Sequence, residues 1–306
     1  MKAQVYKSTG SWYLVKSEEG NFYNARIKGI FKIDNITSSN PIAVGDIVEI
    51  NEEDDGAFMI YEIHQRKNYI VRTSPHNKHQ KHIVASNVDQ AVLIATLKEP
   101  KTSNGFIDRF LITAEAFHIP AIVVFNKSDI YKEKENFYFN LYSKIYSSIG
   151  YQVILMSIRS NKGVDTLKNI LKDKTTLLSG HSGVGKSSFI NSIFPDKNLK
   201  TTEVSGWSGK GMHTTTFAEM FDLPFGGKII DTPGVKEFGI VDITKQELSH
   251  YYPEMKIKMH ECQFNNCMHI NEPDCAIKKA LQEGIISEER YISYNNILGS
   301  ILNKSY

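Results

Sequence analysis

Residues 179–188 read SGHSGVGKSS and residues 125–130 read FNKSDI, and the order of these two stretches constrains the chain more than any other feature. Gly180-His181-Ser182-Gly183-Val184-Gly185-Lys186-Ser187 meets the pattern G-x-x-x-x-G-K-[ST] at every fixed position. It follows the apolar run TTLLSG and opens the helical run KSSFINSIF, which is the context such a loop needs. The glycines let backbone N–H groups curl around phosphates, and the following helix N-terminus adds a favourable dipole. Lys186 is expected to reach the β- and γ-phosphates and the Ser187 hydroxyl to ligate Mg²⁺, with Ser188 closing the binding run. Asn126-Lys127-Ser128-Asp129 follows the apolar run AIVVF. A carboxylate at Asp129 can accept hydrogen bonds from guanine N1–H and the 2-amino group, donors that adenine lacks. Lys127 is expected to pack along the base. In guanine-nucleotide folds the phosphate loop ordinarily leads; here it follows, so the chain reaches one pocket through rearranged connections.

Two further stretches fit the same pocket. Asp231-Thr232-Pro233-Gly234 follows the strand-like KIID, 45 positions after Lys186, and suits an Asp that holds Mg²⁺, through water, and a Gly234 N–H offered to a γ-phosphate. Alone, D-T-P-G could be a plain turn. Ser157, after QVILM, sits where a second base-contacting loop is expected. Between the phosphate loop and D-T-P-G, residues 206–216 read GWSGKGMHTTT, a glycine-rich polar loop able to order around γ-phosphate and Mg²⁺. Three neighbouring threonines compete as the ligand, and Thr215 is the choice made here.

The rest of the chain frames this pocket. Four short strand-like runs before residue 73, GSWYLVKS, NFYNARIKGIF, DIVEINEE and AFMIYEIHQ, are punctuated by turn residues and predict a small barrel, an OB-fold in kind. Trp12, Tyr13, Phe22, Tyr23 and Phe31 could stack bases or form its core. From Asp89 the texture alternates between near-continuous apolar runs and helical spacing, which predicts a mainly parallel α/β sheet covered on both faces. Cys262-x4-Cys267-x-His269-x5-Cys275 supplies three thiolates and an imidazole, a closed Cys₃His set for a structural Zn²⁺. Three cysteines in all, an odd count, argue against a disulfide framework.

Charge excludes some classes. The chain of 306 residues carries a net charge of only +2, so it is not polybasic throughout. Lys and Arg exceed Asp and Glu by 20 to 15 over residues 74–240, while the flanks are slightly acidic. Part of that excess lies in HNKHQKH, residues 76–82, which reads either as a solvated linker or as an RNA-facing arm. No run approaches the roughly 18 apolar residues of a membrane span, and the opening MKAQVYKSTGSWYLV has no leader pattern, so the cytoplasm is expected.

Taken in order, N-K-S-D, G-H-S-G-V-G-K-S-S, H-T-T-T, D-T-P-G-V-K-E-F-G and C-x4-C-x-H-x5-C resemble the RsgA/YjeQ family of circularly permuted bacterial GTPases, and the resemblance spans essentially the whole chain. NPIAVGDIVEI and NVDQAVLI resemble that family too. The resemblance implies an N-terminal OB-fold (1–73), a permuted α/β P-loop GTPase domain (74–240) and a mostly helical zinc-binding domain (241–306). It implies a monomer, away from membranes, that binds the small (30S) ribosomal subunit and its rRNA, turns GTP into GDP, and acts late in that subunit's maturation. Lys210 and Met212 stand where the family varies, which leaves rRNA contacts of that loop open. The implied cut lies after the D-x-x-G strand, so the segment following Gly234 leads straight into the zinc domain. Val235 stands where a Ras-like enzyme has a water-orienting Gln, and Val cannot orient water. Slow intrinsic hydrolysis is therefore expected, with His213 the nearest candidate in sequence to take that role. A P-loop kinase would leave N-K-S-D unexplained. An assembly factor with a vestigial site would not need intact Lys186, Ser187, Asp129 and Asp231.

Overall fold

The computed structural model describes residues 1–27, 41–73, 81–194, 218–231 and 243–302. Thr215, His213, Gly234, Val235 and the loop 206–216 lie outside these residues, as does Phe31. Strands β1 (Lys2–Ser8), β2 (Tyr13–Ser17), β3 (Phe22–Ile27), β4 (Ile47–Glu52) and β5 (Phe58–Ile63) pair in the order β1-β2-β3-β5-β4, and β4 closes onto β1. This is the expected OB-fold barrel, built from five strands. Its interior is filled by alternate residues such as Val5, Val15, Ala25, Val48 and Ile60, as the two-residue period of a strand requires. Of the aromatics read from the sequence, Tyr13 is core, whereas Trp12 and Phe22 are 41% and 51% exposed. β1 was not foreseen: KAQVYKS is half polar, and its pairing with three neighbours makes it a strand.

An antiparallel pair of β6 (Tyr69–Thr73) and β7 (Lys81–Ser86) links barrel and sheet, and the proposed division at residue 73 falls between its two strands. His82 is paired in β7 rather than lying in a free linker. The AVGD stretch seats the barrel on this pair. Gly45, at φ +96°, lies so close to Ser86 that a Cβ would sit 2.1 Å from its carbonyl oxygen, so only glycine fits. Beside it the buried Asp46 accepts from Ser86 Oγ (2.5 Å) and from both arms of Arg66 (2.6 and 2.7 Å).

The remaining elements are β8 (Gln90–Ala95), α1 (Asn104–Ala116), β9 (Ala121–Phe125), α2 (Glu133–Ser148), β10 (Gln152–Leu155), α3 (Val164–Leu171), β11 (Thr175–Ser179), α4 (Lys186–Ile193), β12 (Glu219–Asp222) and β13 (Lys228–Asp231). After them come α5 (Pro253–Lys258), α6 (Ala276–Gln282) and α7 (Glu288–Leu302). The sheet order is β10-β9-β8-β11-β13-β12, parallel except for β12. Successive residues of β8 and β9 serve opposite faces. Leu93 and Val123 enter one apolar layer with α1 and α2, while Val92, Ile94 and Val124 enter the other with α3 and α4. Burial on both faces is why these strands read as continuous apolar runs.

The barrel and this sheet are hydrogen-bonded into one. β12 pairs antiparallel with β1 at Lys7 and Glu219. The β1–β2 register slips between Val5 and Lys7, a bulge that leaves Tyr6 unmatched. Tyr6 then turns out of the barrel into the neighbouring core, where its hydroxyl donates to Asp222 at 2.6 Å. The C-terminal helices pack against α1 around Ile112, Tyr252, Tyr294 and Ile297.

Candidate nucleotide pocket and metal centre

The β11–α4 connection carries the phosphate loop. Gly185, the residue before α4, has φ +101°, and a Cβ there would lie 2.4 Å from the Asn126 amide nitrogen. That closeness reflects a direct bond: Asn126 Nδ2 donates to the Val184 carbonyl at 2.9 Å. Two motifs 58 positions apart in the chain are thereby latched together. Lys186 folds back inside its own loop, donating to the carbonyls of Gly180 and, at 2.8 Å, of His181. An ammonium has three donors, so two are spent shaping the loop and the third is available for phosphate. Burial lowers the Lys186 pKa and the charge of Asp231 opposes that fall, which places Asp231 within electrostatic reach. Ser187 and Ser188 lie in the first turn of α4, where N–H groups lack helical partners. Asp231 ends β13, beside the β11 strand that leads into the loop, and is buried.

The base-reading loop follows β9. Lys127 takes a left-handed turn at φ +64°, and its ammonium donates to the Glu99 carbonyl. Ser157 Oγ donates to Asp129 Oδ1 at 2.6 Å, so the structure brings together the two residues expected to face the base. The Ser128 N–H donates to the Met156 carbonyl at 3.1 Å, tying the two loops by backbone as well. One brace was not foreseen. Tyr131 donates to the Asn126 carbonyl at 2.6 Å and accepts from the Leu97 N–H at 3.1 Å. A tyrosine two positions past the Asn126–Asp129 loop carries no sequence signal for such a role.

The metal centre is built on the loop before α6. One ligand atom from each of Cys262, Cys267, His269 and Cys275 lies within 4.8 Å of all the others. His269 Nδ1 is 3.7 Å from Cys262 Sγ and 3.5 Å from Cys275 Sγ. Tetrahedral ligands about 2.0–2.3 Å from zinc stand at such separations, so the Cys₃His set fits that ion. The three cysteines are free of disulfides. Burial, with the neighbouring thiols adding to it, pushes Cys267 up to about 12. The supporting shell also went unread in the sequence. Glu272 accepts from the N–H groups of Met268 (2.7 Å) and Ile270 (2.8 Å), and Tyr291 donates to the His269 carbonyl at 2.6 Å.

With this geometry in place, the chain can be set beside known proteins. The family model described as RsgA GTPase matches residues 63–241, and that for the RsgA N-terminal domain matches residues 2–60. The chain belongs to the RsgA GTPase family. Among RsgA relatives, the small ribosomal subunit biogenesis GTPase RsgA of Flavobacterium psychrophilum is 52% identical over 97% of this chain and 92% of that protein. The protein of the same name from Christiangramia forsetii is 49% identical over 97% and 96%. Among solved structures, YjeQ from Thermotoga maritima shares 34% identity at a TM-score of 0.80, covering 98% of each chain. YloQ, described as a circularly permuted GTPase, shares 30% identity at a TM-score of 0.74, covering 99% of this chain and 95% of its own. The RsgA fold, with its permuted GTPase sheet and N-terminal barrel, is thus the fold of this chain. Among the described residues no helix is long and apolar enough to cross a membrane.

Proposed function

We propose that this chain hydrolyses GTP and couples the hydrolysis to late assembly of the small (30S) ribosomal subunit, which stimulates it by contact through rRNA. The observation that carries this reading is the latch between Asn126 and Val184, together with the Ser157–Asp129 bond. They join a guanine-specific loop to a phosphate loop in one pocket despite the reversed chain order. The relatives' shared name, a GTPase of small-subunit biogenesis, supports the partner.

In this reading Asp129 and Ser157 bind the guanine edge, Asn126 and Lys127 position the base, and residues 180–188 cradle the phosphates. Lys186 neutralises β- and γ-phosphate charge, the largest demand of phosphoryl transfer. Ser187, Thr215 and Asp231 would hold Mg²⁺, which supplies charge neutralisation at the β- and γ-oxygens when bound. Gly234 would offer its N–H to the γ-phosphate and His213 would orient the water, since Val235 cannot. Cys262, Cys267, His269 and Cys275 would hold one structural Zn²⁺. The division into an OB-fold (1–73), GTPase domain (74–240) and zinc domain (241–306) belongs to the same reading, as do a monomeric state and a cytoplasmic site of action. The segment after Gly234 links a γ-phosphate-responsive loop to the zinc domain, so nucleotide state can shift that domain by an order–disorder switch.

Steady-state turnover of GTP against ATP tests the chemistry. GTP is hydrolysed and ATP is not, and Lys186→Ala abolishes turnover. ATP turned over as fast as GTP would exclude the guanine assignment.

A further inference from the structure

Helix α1 touches both ends of the molecule's working parts. At its first turn the Phe106 ring lies 3.6 Å, centroid to centroid, from the His181 imidazole of the phosphate loop, with 31° between their planes. Ser103 caps the helix there and accepts from the Phe106 N–H at 3.3 Å. Further along, the same helix is fastened to the C-terminal elements. Asp108 accepts from Arg290 Nη1, and Arg290 in turn donates to Glu254 through Nε at 2.6 Å. Arg109 Nη2 donates to Ser300 Oγ at 3.2 Å, and Ile112 is wholly buried among Leu248, Tyr252 and Ile297. Tyr252 also covers the Arg290 guanidinium at 4.3 Å from its ring centroid. Phe106 and Asp108 are two positions apart on one helix, and close-packed interiors transmit displacement.

We propose that α1 couples the phosphate loop to the C-terminal module, with Phe106 as the positioning residue that relays the loop's state through His181. This rests on residues 180–188 being the phosphate site. It is a second route, independent of the chain segment that joins Gly234 to the zinc domain. Phosphate binding fixes the backbone that carries His181, and the stacked ring carries that constraint into α1, whose far contacts are with α5 and α7. By linkage the effect is reciprocal: whatever holds the C-terminal module also biases nucleotide affinity, by the same factor.

Amide hydrogen exchange of α7 in the full chain, with a non-hydrolysable GTP analogue, with GDP and with neither, tests the proposal. The analogue is expected to slow exchange in α7 by about five-fold or more, the lower range of allosteric coupling. Phe106→Leu keeps apolar bulk but loses the stacking ring; it is expected to bind the analogue and to lose that response. Phe106→Tyr is expected to retain it. Arg109→Ala, which cuts the far contact to Ser300, is expected to weaken the response while binding is kept, and it decides the matter should Phe106→Leu fail to fold. Full protection of α7 in Phe106→Leu, or in Arg109→Ala when it must decide, overturns the proposal. So does exchange in wild-type α7 that ignores a bound analogue, and in that case the nucleotide-site reading still stands. A wild-type chain that binds no guanine nucleotide removes the phosphate-site reading and the coupling with it.

Discussion

Asp129 accepts a hydrogen bond from Ser157, and in the proposed reading that bond sets what the pocket can discriminate. A carboxylate fixed by one neighbour has its remaining lone pairs held in a set direction, and in that reading they would meet two adjacent N–H donors of guanine. Asp129→Asn replaces an acceptor by a donor and leaves guanine N1–H facing an N–H group. GTP binding should weaken by at least about 100-fold, as polar sites reject ligands that leave buried groups unpaired. Xanthosine nucleotides, whose 2-oxo group accepts, should gain. Equilibrium binding of fluorescent GDP and XDP analogues measures both, and unchanged GDP affinity would show that this loop does not read the base. The motif residues stood out in the sequence because each belongs to a short pattern with a fixed local context. Their supports did not. Tyr131, Phe106 and Glu272 act through contacts that only folding creates, and nothing about their spacing distinguishes them from core or surface residues.

Elements differ in how far they could be read. β8, β9 and β11 announce themselves because both faces are buried, and α3 because Val164, Leu167 and Leu171 recur on one side. β1 and the β6–β7 pair were missed because polar residues interrupt their apolar pattern, and β1 takes partners as distant in sequence as β4 and β12. The metal loop was legible from ligand spacing alone. Removing zinc by chelation, or one ligand by Cys275→Ser, should unfold the loop before α6 while nucleotide binding persists, because metal binding and local folding are one event. Elemental analysis of freshly purified chain should find one zinc per molecule; none would contradict the assignment. The seam between α1, α5 and α7 makes a separate demand. Arg290 is buried to 1% exposure and serves two buried carboxylates. Arg290→Met strands both, and breaking such a pair costs about 3–5 kcal/mol. Urea denaturation should show that loss, and a change below about 1 kcal/mol would mean that the seam relaxes freely.

At the scale of the whole molecule, permutation places the new chain ends of the GTPase sheet against its neighbours. The segment after β13 leads into the metal module, and β12 at the sheet edge pairs with the barrel. The sequence reading divides the chain into three regions in order and does not foresee that strands of the first two share a sheet, because the β1–β12 pair and the bulged Tyr6 bring together residues more than 200 positions apart. For the same reason the barrel is no detachable appendage: removing residues 1–73 would strip Tyr6 from the GTPase core and open the edge of β12. Tests of the partner are therefore best made on the intact chain. The most direct measurement is steady-state GTP turnover by the full chain, alone, with small ribosomal subunits and with large subunits as the control. Val235 in place of a water-orienting Gln predicts slow turnover alone. The account predicts acceleration by small subunits of at least about 10-fold and none by large ones, and equal rates in all three conditions would contradict it.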